Sequence, residues 1–278
     1  MPLALIGTPI GNLGDLSPRV VETLRIADVI ACEDTRRTRK LLSHAGIPAG
    51  GRLRAVHEHN ELHEAARIVG EVREGLLVAL ATDAGMPGVS DPGARVVAAC
   101  RAAGLPVTVV PGPSAALAAL ALSGFSADRF VFEGFLPRKG KPRAERVGAI
   151  AAEVRTVVVF EAPGRVAATL ADLAAACGDE RWVCLARELT KQHEESWLGE
   201  LGVAARLATV AEPRGEHVIV LGDWSEIPVE VTDSAVERAV RDALARGLSA
   251  RDTAAEVAGA LGVPKRRAYE LAVSLRSR

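Results

Sequence analysis

Aromatic residues, cysteines and long apolar runs are all scarce in this chain of 278 residues. Phe, Trp and Tyr together make up 3% of the sequence, so few side chains are available to stack on unpaired bases. The four cysteines (Cys32, Cys100, Cys177 and Cys184) are scattered and form no Cys-x-x-Cys pair. This pattern favours reduced thiols in a cytosol over a disulfide framework or a zinc site.

No apolar run reaches the roughly 20 residues that a helix needs to cross a bilayer, so we expect no membrane segment. Met1-Pro2-Leu3 leads straight into a strand-like run, without a basic region or a cleavage site, and we expect no signal peptide. The formal net charge is −1, so any nucleic-acid contact must come from local basic patches. These features together indicate a soluble cytoplasmic protein.

The first lobe, residues 1–124, alternates short apolar runs with segments of helical spacing. Apolar runs without polar alternation indicate strands buried on both faces, which is typical of a parallel sheet covered by helices. The predicted strands are Leu3–Ile6, Val29–Cys32, Leu53–Val56, Leu76–Ala81 and Val107–Val110. The predicted helices are Pro18–Ile26, Arg37–His44, Glu61–Glu74 and Gly93–Ala103.

A second α/β lobe is predicted for residues 125–225, followed by a Pro-containing linker at 224–232. Its predicted strands are Phe130–Phe135, Thr156–Phe160, Trp182–Ala186, Glu195–Leu198 and His217–Leu221, and its predicted helices are Ala144–Ala152, Arg165–Cys177 and Leu201–Ala208. Because Glu195–Leu198 follows the preceding strand closely, we expect some antiparallel pairing and a mixed sheet. Residues 233–278 carry eight Arg and one Lys against six acids, and their spacing predicts a helix-turn-helix-like extension.

Ligands of open α/β sheets bind beyond the carboxyl ends of the strands, where four turns of this chain stand out. Residues 7–14 are glycine-rich but lack the G-x-G-x-x-G spacing, which disfavours a nicotinamide site and leaves a tight structural turn as the alternative. Residues 82–93 form a long loop of small residues, in which Asp91 and Pro92 predict a helix cap. The remaining residues of this loop favour a ligand cradle.

The third turn, Pro111–Ala115, places a serine between a strand and a helix, but it lacks the closing glycine of a nucleophile elbow and disfavours a hydrolase. The fourth comprises Phe160–Pro163 and Arg187–Lys191, for which a cleft role and an ordinary solvated surface remain alternatives. His59 and His63 have helical spacing, but without a nearby cysteine capping or RNA contact is favoured over a metal site. We therefore assign no metal ligand.

Taken together, these turns resemble those of the tetrapyrrole-methylase superfamily and, within it, the RsmI family of ribosomal RNA small-subunit methyltransferases I. The resemblance extends from about Leu3 to Leu221. Any one matching string is weak evidence for the family, but all of them in this order are specific for it. The matching strings are Thr8–Asp15, Cys32–Arg36, His57–Glu61, Asp83–Gly93, Pro111–Ala115, Phe132–Lys139 and Ala186–Lys191.

The resemblance implies a two-lobed α/β fold, with a mostly parallel N-terminal sheet, a mixed second sheet and a small helical C-terminal extension. It also implies S-adenosylmethionine as cofactor, a homodimer, and methyl transfer to the 2′-hydroxyl of a cytidine in 16S rRNA, within the small ribosomal subunit. The cofactor-binding residues carried over by position are Ile10, Asp83, Ala84, Gly85, Ser114, Ala115, Glu161 and Leu189. One departure is Ala162-Pro163-Gly164-Arg165, where the family usually has Ser-Pro-His-Arg, so no role passes to Gly164.

Transfer of a methyl group to a ribose hydroxyl benefits from a base that accepts the hydroxyl proton. By location the candidate bases are Glu33, Asp34 and Glu188, among which the sequence does not choose. Arg36 and Arg187 are candidates to hold a phosphate or orient a carboxylate, and Asn12 to bind the ribose. The basic clusters that could contact RNA are Arg36-Arg37-Arg39-Lys40, Arg138-Lys139-Lys141-Arg143 and Lys265-Arg266-Arg267.

Three other functions remain alternatives. A methyltransferase of tetrapyrrole or corrin precursors would share the cofactor lobes, but the basic clusters argue against it. A DNA-binding regulator would depend on the C-terminal extension, and a structural protein would have a vestigial cleft.

Overall fold

The computed structural model describes residues 1–210, 212, 214–223, 233–261 and 263–276. The chain divides into two compact units, Met1–Trp224 and Ser225–Arg278. Both predicted α/β lobes therefore lie within the first unit. The predicted linker at 224–232 lies outside the described residues.

The first sheet contains five parallel strands in the order β3-β2-β4-β1-β5. The strands are β1 (Leu3–Ile6), β2 (Val29–Cys32), β3 (Leu53–Ala55), β4 (Val78–Ala81) and β5 (Val107–Val110). Separate apolar clusters pack on its two faces, which explains why the central strands are apolar throughout. The predicted parallel sheet is confirmed.

Four helices accompany this sheet: α1 (Pro18–Ile26), α2 (Thr35–His44), α3 (Glu61–Arg73) and α4 (Ala94–Ala102). A fifth, α5 (Ala115–Ser123), packs on the second sheet. Their starts are capped locally where the sequence supplies a short polar side chain. Ser17 accepts from Val20 N at 3.2 Å before α1, and Asp34 accepts from Arg36 N at 2.7 Å at the start of α2.

The second sheet is mixed, as predicted, with the order β6-β7-β10-β8-β9. Only β6 and β7 pair in parallel, and the other neighbours are antiparallel. The strands are β6 (Phe130–Phe135), β7 (Thr156–Glu161), β8 (Trp182–Arg187), β9 (Glu195–Glu200) and β10 (His217–Leu221), with helices α6 (Lys141–Ala152), α7 (Val166–Cys177) and α8 (Leu201–Val210). The pairings place His217 opposite both Glu161 and Arg187, which brings three chain segments together at one edge of the sheet.

The second unit contains three helices in its described part, one more than the helix-turn-helix pattern indicated. They are α9 (Asp233–Ala245), α10 (Ala250–Leu261) and α11 (Lys265–Arg276). Val236 and Val240 of α9, Val257 of α10 and Ala272 of α11 are buried together in a small apolar core. The unit therefore has its own core.

One local prediction is wrong. Asp91 does not cap the following helix, because α4 begins at Ala94 and its first residues are capped from elsewhere. Glu61, at the start of α3, accepts hydrogen bonds from Gly93 N at 2.8 Å and from Arg95 N at 3.0 Å. The buried Glu61 carboxylate thus satisfies the amides that Asp91 was expected to satisfy.

All four cysteines are buried and free of disulfides. Among the described residues, no helix combines the length and apolar character that membrane crossing requires.

Candidate functional site

Three turns meet at the carboxyl edge of the first sheet because β1 lies between β4 and β5. The turn after β1 pairs with the loop after β4 through two backbone hydrogen bonds, from Thr8 N to Gly85 O at 2.9 Å and from Gly85 N to Thr8 O at 3.1 Å. The turn after β5 lies directly against the turn after β1. A Cβ atom at Gly7 would lie 2.4 Å from Gly112 N, so neither turn tolerates a side chain at this contact.

The turn after β8 packs against the first turn from the second sheet. Glu188 and Thr190 both have positive φ, at 51° and 66°, a backbone conformation that costs a non-glycine residue free energy. The Glu188 carboxylate stabilises this turn by accepting from Lys191 Nζ at 2.8 Å and from Glu216 N at 2.8 Å. A Cβ atom at Gly11 would lie 2.4 Å from Lys191 Cγ, so the two turns touch directly.

These turns and the facing edge of the second sheet enclose a cavity of about 360 Å³. Its volume lies in the range typical of small-molecule sites. Seven of the eight residues predicted to bind the cofactor line this cavity: Ile10, Ala84, Gly85, Ser114, Ala115, Glu161 and Leu189. The eighth, Asp83, is turned to α2, where its carboxylate accepts from Asp34 N at 3.1 Å and lies 3.4 Å from Arg37 Nη1.

Several lining residues were not predicted from the sequence. The lining also includes Met86, Val89, Ser90, Asp91, Phe135, Phe160, Ala162, Pro163, Glu216, His217 and Val218. Met86 to Asp91 belong to a loop that the sequence did single out. Phe160, Ala162 and Pro163 likewise belong to the fourth turn. His217, in contrast, reaches the cavity through the pairing of β10 with β7, which no local sequence signal indicates.

The Glu161 carboxylate has a structural role at the cavity wall. It is buried and accepts from Ala162 N at 2.8 Å, Thr169 Oγ1 at 2.6 Å and Arg165 Nη2 at 3.1 Å. Its hydrogen-bonding capacity is therefore largely used by its own protein neighbours, and we expect it to shape the wall rather than exchange protons.

Asn12, Asp34 and Arg36, three of the predicted catalytic residues, do not line the cavity. Asn12 Oδ1 accepts from Gly14 N at 2.9 Å and holds the first turn. Asp34 caps α2 and pairs with Arg36 at 2.7 Å, and the hydrogen bonds from Arg36 hold the pKa of the Asp34 carboxyl well below its ordinary value. Such a carboxylate is a weak base.

The other three predicted catalytic residues are divided between different surroundings. Glu188 lies in the turn described above, and its hydrogen bond from Lys191 lowers its pKa. Arg187 pairs with Glu195 at 3.0 Å and lines a second cavity of about 590 Å³. Glu33 lies at the end of β2, where burial and then the charge of Asp83 raise the pKa of its carboxyl.

Glu33 and Asp83 belong to an acidic group that also includes Asp91. Burial raises the pKa of Asp83, and burial followed by the charge of Glu33 raises the pKa of Asp91 to about 7. Of the three, Asp91 alone lines the cavity among the residues that the structure describes.

Gly164, where the family usually has histidine, lies in a short helical turn beside the second cavity. A Cβ atom there would meet no atom within 4 Å, so a larger side chain would enter open space. Pro163 and His217 line both cavities. The described residues include no group of three or more His, Cys, Asp or Glu side chains placed to hold a metal ion.

Comparison with known proteins agrees with this architecture. Residues 2–205 match the family described as Tetrapyrrole (Corrin/Porphyrin) Methylases, and residues 230–276 match the RsmI C-terminal HTH domain. Among solved structures, the methyltransferase CobJ is 21% identical with a TM-score of 0.61, covering 81% of this chain and 95% of its own. Uroporphyrin-III C-methyl transferase from Thermus thermophilus, complexed with S-adenyl homocysteine, is 22% identical with a TM-score of 0.57, covering 80% and 97%.

The fold and the cavity therefore define a methylase of the two-sheet tetrapyrrole-methylase class. A protein of Synechocystis sp. is 42% identical over 274 residues, covering 98% of both chains. One of Xylella fastidiosa is 44% identical over 270 residues, covering 96% of this chain and 97% of its own. Both are named Ribosomal RNA small subunit methyltransferase I, and the chain belongs to this family. The predicted resemblance and fold class are confirmed.

Proposed function

We propose that this protein transfers a methyl group from S-adenosylmethionine to the ribose 2′-hydroxyl of a cytidine in 16S rRNA. The single observation that best supports this is the cavity at the carboxyl edge of the first sheet, which the sequence-predicted turns line together. Membership of a family whose relatives are named for ribosomal RNA supports the choice of substrate. The alternative is a methyltransferase of tetrapyrrole or corrin precursors, the class to which uroporphyrin-III C-methyl transferase, one of the structural neighbours, belongs by name.

The cavity fits the proposed cofactor in size and in chemistry. Small residues at Ala84, Gly85 and Ala115 leave space for a ligand close to the backbone, and Gly85 has a positive φ of 79°. Ile10 and Leu189 supply apolar surface, which suits an adenine ring. The bound cofactor would supply an electrophilic methyl group on a positively charged sulfur.

The residues of the chain would hold the acceptor hydroxyl in line with that methyl group and exclude water. Phe135 and Phe160, whose ring centroids lie 5.6 Å apart, form an apolar side of the cavity suited to excluding water. Asn12, Asp34 and Glu188 would act by holding the turns, given the bonds that their side chains already make. Arg36 and Arg187 remain the proposed phosphate ligands, and Glu33 acts electrostatically.

Exposed basic side chains support an RNA substrate. Arg36 is 85% exposed, and Arg37 lies beside the Asp83 loop through its ion pair with that residue. Lys141 is 86% exposed but pairs with Glu145 at 3.6 Å, and Arg143 is engaged by Asp172 at 2.7 Å, so both contribute less to a free basic surface. Exposed Arg and Lys bind phosphates by releasing counterions, so binding should weaken as salt increases.

The experiment that tests this function is methyl transfer from isotopically labelled S-adenosylmethionine to three acceptors. These are assembled small ribosomal subunits from cells lacking the gene, naked 16S rRNA and a porphyrinogen. We expect the label on a single cytidine ribose, and we expect the assembled subunit to be the preferred acceptor. Label on the porphyrinogen alone would replace the proposal with its alternative.

We also infer that two copies of the chain associate. Helix α5 has the sequence AALAALALS, and its outward side chains Leu117 and Leu122 are 56% and 47% exposed. Exposed apolar groups on one helix are typical of a protein–protein interface. Sedimentation should show a dimer for the wild type and a monomer for Leu117→Glu, and a monomeric wild type would contradict the inference.

A further inference from the structure

Three carboxyl side chains belong to residues that line the cavity: Asp91, Glu161 and Glu216. Glu161 is occupied by Ala162 N, Arg165 and Thr169, as described above. Glu216 pairs with Lys191 at 2.9 Å and its side chain is 72% exposed, so it is both neutralised and solvated. These two carboxylates have assigned partners.

Asp91 differs from both. Helix α4 is capped by Glu61, so the Asp91 side chain has no capping role. In the part of the chain that the structure describes, no Lys or Arg forms an ion pair with Asp91, and its polar partner is the Thr82 hydroxyl. Burying a carboxyl without a cationic partner costs stability, and such groups are found preferentially at functional sites.

The backbone before Asp91 is also held in an unusual conformation. Ser90 has a φ of 62°, in the left-handed region. A Cβ atom at Gly134 would lie 3.0 Å from Ser90 Oγ, so the bulged strand β6 packs closely against this loop. Non-glycine residues held in this region cluster at functional sites.

We propose that Asp91 is the catalytic residue that accepts the proton of the substrate hydroxyl. This inference rests on the proposed function. In the step, the hydroxyl oxygen forms a bond to the methyl carbon, and the carbon–sulfur bond breaks with its electron pair going to sulfur. The hydroxyl proton goes to the Asp91 carboxylate, from which water removes it after the product leaves.

The electrostatic surroundings of Asp91 suit this role. Three acids act on it electrostatically: Glu33 at the end of β2, Asp83 after β4 and Glu216 before β10. Arg37 offsets the charge of Asp83, and Lys191 that of Glu216. Because burial and these charges raise the pKa of Asp91 to about 7, the carboxyl can both accept and release a proton near neutral pH.

A positive charge nearby favours the ionised form of a carboxyl. The sulfonium of S-adenosylmethionine is positive, whereas the sulfur of S-adenosylhomocysteine is neutral. Ionisation of Asp91 should therefore be coupled to binding of the first compound and not the second. This coupling can be measured without any turnover.

The other titratable side chain in the lining that could accept a proton is His217. Its Nδ1 lies 3.0 Å from Gly215 O, and burial lowers its pKa. His217 belongs to the second sheet and also lines the second cavity, whereas Asp91 follows β4 on the carboxyl side of the parallel sheet, where ligands of such folds bind. His217→Gln is thus the necessary comparison variant.

The experiment combines calorimetry and single-turnover kinetics on full-length wild type, Asp91→Asn, Asp91→Glu and His217→Gln. Asp128→Asn is the matched control, since Asp128 is exposed on a loop. For the wild type, the affinity for S-adenosylmethionine relative to S-adenosylhomocysteine should rise by up to about tenfold between roughly pH 6 and 8, as expected for a one-unit change in pKa. Asp91→Asn should abolish this rise, and Asp128→Asn should keep it.

In kinetics, Asp91→Asn should slow methyl transfer by about 10² to 10⁴-fold, while Asp91→Glu should recover part of the rate and its rise with pH. An Asp91→Asn rate within about threefold of wild type, or loss of the pH dependence in His217→Gln alone, would overturn the proposal. A wild-type affinity ratio that is independent of pH would do so without any variant. If the wild type methylates no RNA, the proposed function fails instead, and the affinity ratio still decides the role of Asp91 as the ionising group.

Discussion

The substitution Gly7→Ala tests whether the turns that form the cavity depend on direct backbone contact. A Cβ atom at Gly7 would lie 2.4 Å from Gly112 N, 2.6 Å from Gly112 Cα and 2.8 Å from Met86 Sδ. Ordinary van der Waals contact begins at 3.4 Å, so the first and third turns must separate by about 1 Å. The methionine side chain can move, but the backbone of Gly112 can move only with its turn.

This separation should affect both stability and ligand binding. Forcing an extra methyl into a packed contact costs about 1–3 kcal/mol of unfolding free energy. Because Ile10 and Ser114 lie on the two displaced turns, we expect affinity for S-adenosylmethionine to fall by at least about tenfold, equivalent to about 1.4 kcal/mol. Misplacement of a bound substrate by about 1 Å can reduce the rate a further 10²-fold.

Urea denaturation and calorimetry measure these effects separately. Gly70→Ala is the matched control, because Gly70 lies within α3 and a Cβ there meets no atom within 4 Å. We expect it to bind the cofactor normally and to be more stable by up to about 1 kcal/mol. If Gly7→Ala bound S-adenosylmethionine as tightly as Gly70→Ala does, the close contact between the turns would not matter for the site.

Three further predictions concern the Glu61 cap, the Asp91 carboxyl and the C-terminal unit. Glu61→Ala should lower the free energy of unfolding in urea by about 1–3 kcal/mol because Gly93 N and Arg95 N lose their acceptor, and Glu61→Gln should lower it less. Equal stability of the wild type and both variants would refute the capping role. Since the folded Asp91 carboxyl, with a pKa raised to about 7, keeps a proton that the unfolded chain has released, stability should fall as pH rises from about 4 to 7. After allowance for solvent screening, Asp91→Asn should remove about 1–2 kcal/mol of this loss, and an identical pH dependence in the variant would contradict the raised pKa. A chain ending at Asp223 should retain cofactor binding in calorimetry, because the C-terminal residues form a separate compact unit. The same chain should lose methylation of rRNA. Failure to bind the cofactor would show that the units depend on each other.

Much of the fold follows from local sequence signals. The strands Leu3–Ile6, Val29–Cys32 and Val107–Val110 have the predicted bounds because each is a continuous apolar run ended by turn residues. The positions of the first three turns beyond these strands follow as well. The spacing of apolar residues does not indicate which strands are neighbours in the sheet, since β1 pairs with β4 and β5 from distant parts of the chain.

The candidate site shows the same division. Ile10, Gly85 and Ser114 come from turns adjacent in sequence to strands, and the family resemblance finds them. His217 reaches the cavity only through antiparallel pairing with β7 and β8, which local patterns do not specify. Asp91 was interpreted as a cap because Asp-Pro is a strong local signal.

The side chains that do cap backbone amides come from a distant part of the chain or from residues that were predicted to be catalytic. Glu61 lies 32 residues before the amide of Gly93 that it caps. Asn12 and Asp34, predicted as catalytic, satisfy nearby backbone amides instead. Short polar side chains commonly make such local bonds, so location after a strand does not by itself indicate catalysis.

The most direct test of the cofactor site is a crystal structure of the full chain grown with S-adenosylhomocysteine. We expect the ligand in the cavity lined by Gly85, Ser114 and Leu189, with its sulfur directed to the side where Asp91 lies. A ligand bound instead in the second cavity beside Trp197, or a first cavity closed by its turns with no ligand at saturating concentration, would contradict this assignment.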